Sequence, residues 1–193
     1  DHASGVAALS RRFGIPIYLS HGTQGRVRLD GGHDYRCFNS EDELQIGELR
    51  IKTVAVPHDA AEPCQFRLQW GEYALGILTD LGSVTPHVVE SYSGCHGLLL
   101  EFNHDLDMLL DGPYPQHLKH RVAGNWGHLN NAQAAELLRQ VSDAALQHLV
   151  VAHISEQNNS RAHAERALGE VLDSLDGVVF AEQAGGCHWL ALD

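Results

Sequence analysis

The chain has 193 residues, which is enough to bury one sizeable hydrophobic core, and we expect a single domain over residues 1–193. Its formal net charge of −12 argues against a broadly basic nucleic-acid-binding face, although a bound metal ion could still create a local phosphate site. No apolar run approaches the roughly 20 residues needed to cross a bilayer, and no basic-then-apolar leader is visible, so no membrane association is expected. The four cysteines lie far apart, which predicts reduced thiols in a cytoplasmic protein.

The first half of the chain predicts a short helix followed by strands and hairpins. An amphipathic pattern over residues 5–13 ends at Gly14, and an apolar strand over residues 15–19 follows. Residues 20–36 are polar and glycine-rich, and we predict a loop there. Two stretches, residues 43–54 and 67–79, alternate between apolar and polar side chains around a glycine, which is typical of β-hairpins.

The second half of the chain predicts helices that alternate with strands. Helices are predicted over residues 87–92, 107–110, 131–141 and 161–175, and strands over residues 177–180 and 188–192. Because helices alternate with strands and hairpins interrupt them, the pattern favours an α/β sandwich with mixed sheets over a simple parallel wound sheet.

Four short apolar runs each end at a residue that can bind a metal ion or carry a proton. The residues at these ends are His58, Asp80, Glu101 and His153. Buried strands that stop at one edge of a sheet bring such side chains together, and layered α/β proteins commonly build their sites there. Fourteen histidines is a high number for this length, and histidine is the commonest metal ligand as well as a general acid or base.

Several of these residues also have a purely structural interpretation. His58 could be a surface loop residue, and Asp80 could cap the next turn, although a buried carboxylate needs a partner that a metal ion would supply. Asp1 and His2 stand at a helix entrance, where they could bind one metal together or belong to a frayed terminus.

Two polar segments that precede predicted helices leave similar alternatives. In the first, His128 could be a simple loop residue while an asparagine, Asn130 or Asn131, caps the helix. In the second, Asn158 and Asn159 could cap the next helix or bind a substrate.

Taken together and in this order, these motifs resemble those of the metallo-β-lactamase superfamily. Residues 1–5 are similar to the end of its His-x-His-x-Asp-His motif, whose first two histidines would precede the chain. The other motifs resemble the YycJ/WalJ-type branch and lie at residues 57–60, 79–82, 100–105, 114–115, 118–121, 127–131 and 152–159. The resemblance implies a metallo-β-lactamase-like αββα sandwich with mixed sheets, a two-metal site at the edge of the sheets, and N-terminal strands that are missing from this chain.

The resemblance also implies a set of ligands for two divalent metal ions, either zinc or manganese. Asp1 and His2 would bind the second metal, His58 would bind the first, Asp80 would bridge both, and His153 would be the last ligand of the second metal. Because two histidines of the first site would precede the chain, we expect the first metal to bind poorly.

Further residues are implied to carry the chemistry. His128 matches the position of a proton-donating histidine in related nucleases, and Glu101 matches a carboxylate that partners it. Asp1 would also orient the attacking water. The residues that would steer phosphate oxygens or metal ligands are Asn131, Asn158 and Asn159.

The implied function is that of a metal-dependent hydrolase, namely a phosphodiesterase or nuclease of the 5′-to-3′ DNA exonuclease type that uses a metal-activated water. Its substrate would be nucleic acid or a small phosphodiester. The alternatives are another ester hydrolase of the same superfamily and a truncated metal-binding module without catalytic activity.

Overall fold

The structure is a computed structural model that describes residues 4–27 and 32–193. In chain order, the described elements are α1 (Val6–Phe13), β1 (Ile17–Ser20), α2 (His21–Gln24), β2 (Tyr35–Phe38), β3 (Glu43–Ile46), β4 (Leu49–Ala55), β5 (Cys64–Trp70), β6 (Tyr73–Leu78), α3 (Pro86–Tyr92), β7 (Gly97–Glu101), α4 (Leu106–Asp111), α5 (Gln116–Val122), α6 (Asn131–Val141), β8 (His148–Ala152), α7 (Arg161–Gly169) and β9 (Val178–Phe180). None of the helices within these ranges is long and apolar enough to cross a membrane.

A seven-stranded mixed sheet forms the centre of the fold, with the strands in sequence order from β3 to β9. Strands β3 to β6 are antiparallel, with tight turns between β3 and β4 and between β5 and β6 and a longer loop over residues 56–63 between β4 and β5. Strands β6 to β9 are parallel and joined by helical connections. Strands β1 and β2 form a separate parallel pair, and Phe38 of β2 makes an edge-to-face contact with Phe66 of β5 at a ring distance of 6.3 Å. The predicted mixed α/β fold is therefore confirmed.

The hydrophobic core lies between the parallel half of the sheet and the helices α3, α6 and α7. Helix α6 begins with a capping box between Asn130 and Gln133, and its apolar side chains recur at the three- and four-residue spacing of a buried helix face. These side chains and those of the sheet are fully or almost fully buried, including Leu137, Leu138, Leu100 and Val151. The strands are thus held rigidly at the edge where the polar residues follow them.

Most predicted elements agree with the structure, and the differences have local causes. The predicted loop over residues 20–36 was wrong in part, because helix α2 lies within it and strand β2 already begins at Tyr35. The strand predicted over residues 188–192 was also wrong, since that segment has no regular structure. Helix α7 ends at Gly169 rather than at residue 175, and helix α5 was not predicted. All four cysteines are free thiols.

Candidate metal centre

Three parallel strands bring the polar residues that follow them to one edge of the sheet. Asp80 follows the end of β6 by two residues, Glu101 is the last residue of β7, and His153 directly follows β8. The register pairs Leu78 with Leu100, and Glu101 with Ala152, so the strands stop at almost the same level. The three side chains therefore meet because parallel strands end together.

The backbone turns sharply at two of these residues. Asp80 has a φ angle of 53° and His153 a φ angle of 56°, which is the left-handed region that residues other than glycine rarely occupy. Such a conformation costs on the order of 1–3 kcal/mol and tends to persist at functional sites. The turns redirect the chain immediately after each strand.

The carboxylate of Glu101 is fully buried and accepts five hydrogen bonds. Its Oε1 accepts the backbone N–H groups of Leu81 at 3.0 Å and Leu129 at 2.9 Å. Its Oε2 accepts the backbone N–H of Asp80 at 2.9 Å, and it lies 3.2 Å from Nδ1 of His128 and 3.1 Å from Nδ1 of His153. One carboxylate therefore joins the three strand ends to the loop that carries His128.

These contacts keep Glu101 ionised. Burial opposes its ionisation, but the hydrogen bonds from His128 and His153 outweigh burial and lower the pKa of Glu101 to about 2. The same hydrogen bond raises the pKa of His153 despite its partial burial. The carboxylate is thus a fixed negative charge that holds two imidazole rings.

The carboxylate of Asp80 lies at the centre of three histidines. Its Oδ1 is 3.9 Å from Nε2 of His58, 3.8 Å from Nε2 of His153 and 3.8 Å from Nδ1 of His128. These distances are too long for hydrogen bonds. They lie within the span of about 4 Å that two ligands of one ion can cover when each is about 2.0–2.2 Å from it.

The orientation of the rings also suits a metal ion. Nδ1 of His58 lies 3.0 Å from the backbone carbonyl of Gly127, and Nδ1 of His153 contacts Glu101. Metal-binding histidines commonly donate one ring N–H to a carbonyl or carboxylate in this way, which leaves the other nitrogen for the ion. Donor atoms of Asp80, Glu101, His128 and His153 all lie within 4.8 Å of one another. Because the oxygens of Glu101 already accept five bonds, this residue fits the role of orienting histidines better than that of a ligand.

The other residues singled out from the sequence have different surroundings. Asp1 and His2 lie outside the described residues. Asn131 and Asn159 are buried, and their carboxamides exchange two hydrogen bonds of 2.9 Å, so the structure places both away from the cavity. Asn158 lines the cavity but is almost fully buried, and its backbone carbonyl accepts a hydrogen bond from the N–H of Asp105.

The cluster opens into a cavity of about 720 Å³. Besides His58, Asp80, His128 and His153, its walls include residues at and before helix α5, namely Tyr114, Leu118 and Arg121. The sequence reasoning missed these three as site residues. The signal that could have found them was the similarity of residues 114–115 and 118–121 to motifs of one protein family.

Comparisons with known proteins agree with this fold and site. Residues 1–154 match the family model described as a beta-lactamase superfamily domain. Exodeoxyribonuclease YycJ of Bacillus anthracis is 29% identical over 177 residues, which cover 90% of this chain and 67% of that protein. Exodeoxyribonuclease WalJ of Streptococcus pneumoniae serotype 2 is 27% identical over 183 residues, covering 91% and 68% respectively. The chain thus spans about two thirds of the length of these relatives.

Solved structures show the same fold at lower sequence identity. The metallo-beta-lactamase fold protein YhfI from Bacillus subtilis has a TM-score of 0.71 at 15% identity, with 96% of this chain and 71% of that chain covered. Zn²⁺-bound PqqB from Methylobacterium extorquens has a TM-score of 0.66 at 16% identity, with 98% and 70% covered. The chain therefore belongs to the beta-lactamase superfamily as a hydrolase of the metallo-β-lactamase fold, and it is similar to the YycJ/WalJ-type members.

Proposed function

We propose that this protein is a metal-dependent phosphodiesterase whose substrate is DNA, which it degrades from the 5′ end. The observation that carries the proposal is the buried Glu101 carboxylate, which contacts Nδ1 of both His128 and His153 beside Asp80. Two relatives are named exodeoxyribonucleases, and this supports DNA as the substrate.

In this proposal, His58 and Asp80 would hold the first of two divalent metal ions, zinc or manganese. The second would be held by Asp1, His2, Asp80 and His153. His58 and His153 suit the role because Nδ1 of each ring is engaged while Nε2 lies 3.8–3.9 Å from Oδ1 of Asp80. A bound divalent metal would supply charge for the phosphate oxygens and lower the pKa of a water.

His128 donates the proton that the leaving oxygen needs. Glu101 accepts a hydrogen bond from Nδ1 of His128 at 3.2 Å, which fixes the tautomer and leaves Nε2 as the nitrogen that exchanges a proton. A departing alkoxide is a poor leaving group, so a proton donor at this position favours phosphodiester cleavage.

A test of the proposal compares His128→Asn with His148→Asn. His148 is the control because it begins β8, at the opposite end of the strand from His153, and its ring contacts the backbone carbonyl of Ala191. We expect His128→Asn to lower kcat on DNA by about 10²–10⁴-fold, with unchanged metal content by elemental analysis. The loss on bis(p-nitrophenyl) phosphate should be much smaller, because p-nitrophenolate leaves without being protonated. His148→Asn should keep the wild-type rate.

Two further measurements separate this function from the alternatives. DNA labelled at its 5′ or 3′ end should release labelled product first from the 5′ end. Nitrocefin should not be hydrolysed. Hydrolysis of nitrocefin without phosphodiesterase activity, or a wild-type rate of DNA cleavage by His128→Asn, would refute the proposal.

A further inference from the structure

Helix α5 brings a permanent positive charge to a cavity that is otherwise acidic. Among the described residues that line the cavity, Arg121 is the only one of the lysine or arginine type, whereas Asp59, Asp80 and Glu156 are acidic. An anionic substrate that enters this cavity therefore meets one fixed cation from the protein. The position of that cation decides which phosphate it can contact.

Arg121 is oriented by an ion pair. Its Nε donates a hydrogen bond to Oδ2 of Asp59, and this ion pair lowers the pKa of Asp59. The backbone N–H of Asp59 in turn donates to the carbonyl of Trp126 at 2.9 Å. Helix α5 is anchored as well, because the buried Lys119 donates from Nζ to the backbone carbonyl of Leu110.

The same contacts place Arg121 beside the candidate metal centre. Asp59 directly follows His58, and its Oδ1 lies 3.6 Å from Nε2 of His58. Asp59 therefore connects the guanidinium to a candidate metal ligand. Within the described residues, Arg121 contacts Asp59 through Nε, and neither of its Nη groups donates a hydrogen bond to a described protein acceptor. The side chain is 65% exposed, so these N–H groups face solvent or a ligand.

We propose that Arg121 binds a second phosphate of the substrate, next to the one that is cleaved. This inference rests on the proposed function, because it assumes a phosphodiester chain in the cavity. A guanidinium presents a planar pair of N–H donors that matches two oxygens of one phosphate, and Asp59 orients that pair. Arg121 is thus a substrate-binding residue that selects polynucleotides over esters with a single phosphate.

Arg121→Gln tests this role, with Arg139→Gln as the matched control. Arg139 is exposed to a similar extent, 60% against 65%, and it is paired with Glu136 on helix α6. Binding of a fluorescently labelled phosphorothioate oligothymidylate, which resists hydrolysis, is measured by anisotropy at several salt concentrations in Mn²⁺ buffer. For Arg121→Gln, we expect the affinity to fall about 10-fold or more. The slope of log K against log salt concentration should decrease in magnitude by about 0.7, the value for one phosphate contact on a single strand. Arg139→Gln should change neither.

Kinetics provide the second readout. The loss of kcat/KM in Arg121→Gln should fall mainly on KM and should be at least about 10-fold greater for oligothymidylate than for bis(p-nitrophenyl) phosphate. Equal losses on both substrates, or an unchanged salt slope, would overturn the role of Arg121. If the wild type hydrolyses neither substrate but binds the oligonucleotide through Arg121, the proposed reaction fails while the binding site stands.

Discussion

Replacing Glu101 with glutamine tests whether one buried carboxylate organises the site. Glutamine keeps the shape of the side chain but puts an NH₂ group where one of the two accepting oxygens was. If the NH₂ replaces Oε1, the N–H groups of Leu81 and Leu129 lose their acceptor; if it replaces Oε2, the N–H of Asp80 loses its acceptor. Each buried N–H left without a partner costs about 1–3 kcal/mol.

The pKa of Glu101 gives a second estimate of the same loss. The shift from the ordinary value of 4.5 to about 2 corresponds to about 3 kcal/mol of folding free energy at about 1.4 kcal/mol per pH unit. Because the folded-state pKa is lowered, this stabilisation is fully present above pH 4.5 and is lost as the pH falls toward 2. Glu101→Gln should therefore be about 3 kcal/mol less stable than the wild type at pH 7, with a smaller difference at pH 3.

The substitution should also weaken metal binding. With an NH₂ group facing the imidazoles, Nδ1 of His153 must accept a hydrogen bond, and its proton moves to Nε2. A protonated Nε2 cannot bind a metal ion. Loss of a carboxylate that orients a ligand typically lowers metal affinity by about 10–100-fold, and we expect an effect of this size.

Urea unfolding of metal-free protein at pH 7 and pH 3, and titration with Zn²⁺, measure these effects. Glu136→Gln is the control: the pKa of Glu136 is also lowered to about 2, by Arg139, but its carboxylate is exposed on the surface of α6. Solvent screens such a pair, so its loss should leave the unfolding midpoint almost unchanged. Wild-type stability of Glu101→Gln at pH 7, or an equal stability difference at pH 3, would refute this reasoning.

Three other substitutions test separate parts of the structure. Asp80→Asn should abolish metal loading, which elemental analysis measures. The melting temperature of the metal-free protein should not change, because asparagine tolerates the positive φ angle of 53°. An unfolded variant would contradict this. His104 is fully buried with neither ring nitrogen hydrogen-bonded in the described structure, and burial lowers its pKa to about 4. Wild-type stability should therefore fall by up to about 3 kcal/mol between pH 6.5 and 4, and His104→Leu should remove most of this slope in urea unfolding; an unchanged slope would exclude His104 as its source. Gly82→Ala would put a Cβ 2.4 Å from the backbone oxygen of Asn125 and 2.6 Å from Cα of Trp126. It should therefore lower the free energy of unfolding by about 1–3 kcal/mol, as measured by thermal unfolding. An unchanged melting temperature would show that the loop can shift without loss of stability.

The positions of the strand-end residues could be predicted because they depend on local patterns. Short apolar runs predicted strands β6, β7 and β8, and parallel strands that end together bring Asp80, Glu101 and His153 to one edge. The hydrogen bonds of Glu101 could not be predicted in the same way. Its partners Leu81 and Leu129 are 20 and 28 residues away in sequence and are defined only once the sheet is assembled.

Other features escaped prediction for identifiable reasons. Helix α5 has few apolar residues and no side-chain cap, so neither periodicity nor capping marks it. Residues 188–192 are mostly apolar, like a buried strand, but they pair with no neighbouring strand, and an apolar run alone does not form a sheet. Asn131 and Asn159 look like site residues in the sequence, yet each satisfies the other inside the core.

The charges of the site explain how an acidic protein could act on an anionic substrate. Glu101 is negative, but three backbone N–H groups and two histidines surround it, so its charge orients the site and does not face the cavity. The negative charge of Asp59 is compensated by the positive charge of Arg121 in their ion pair. Asp80 is the carboxylate whose Oδ1 stands among three histidine nitrogens at 3.8–3.9 Å, which is the arrangement that a divalent cation would neutralise. With a net charge of −12, we expect the attraction for phosphate to come from the metal centre and from the N–H donors of Arg121 that its ion pair leaves unused. Such a protein would recognise DNA at one or two phosphates near the cleaved bond rather than along an extended basic surface.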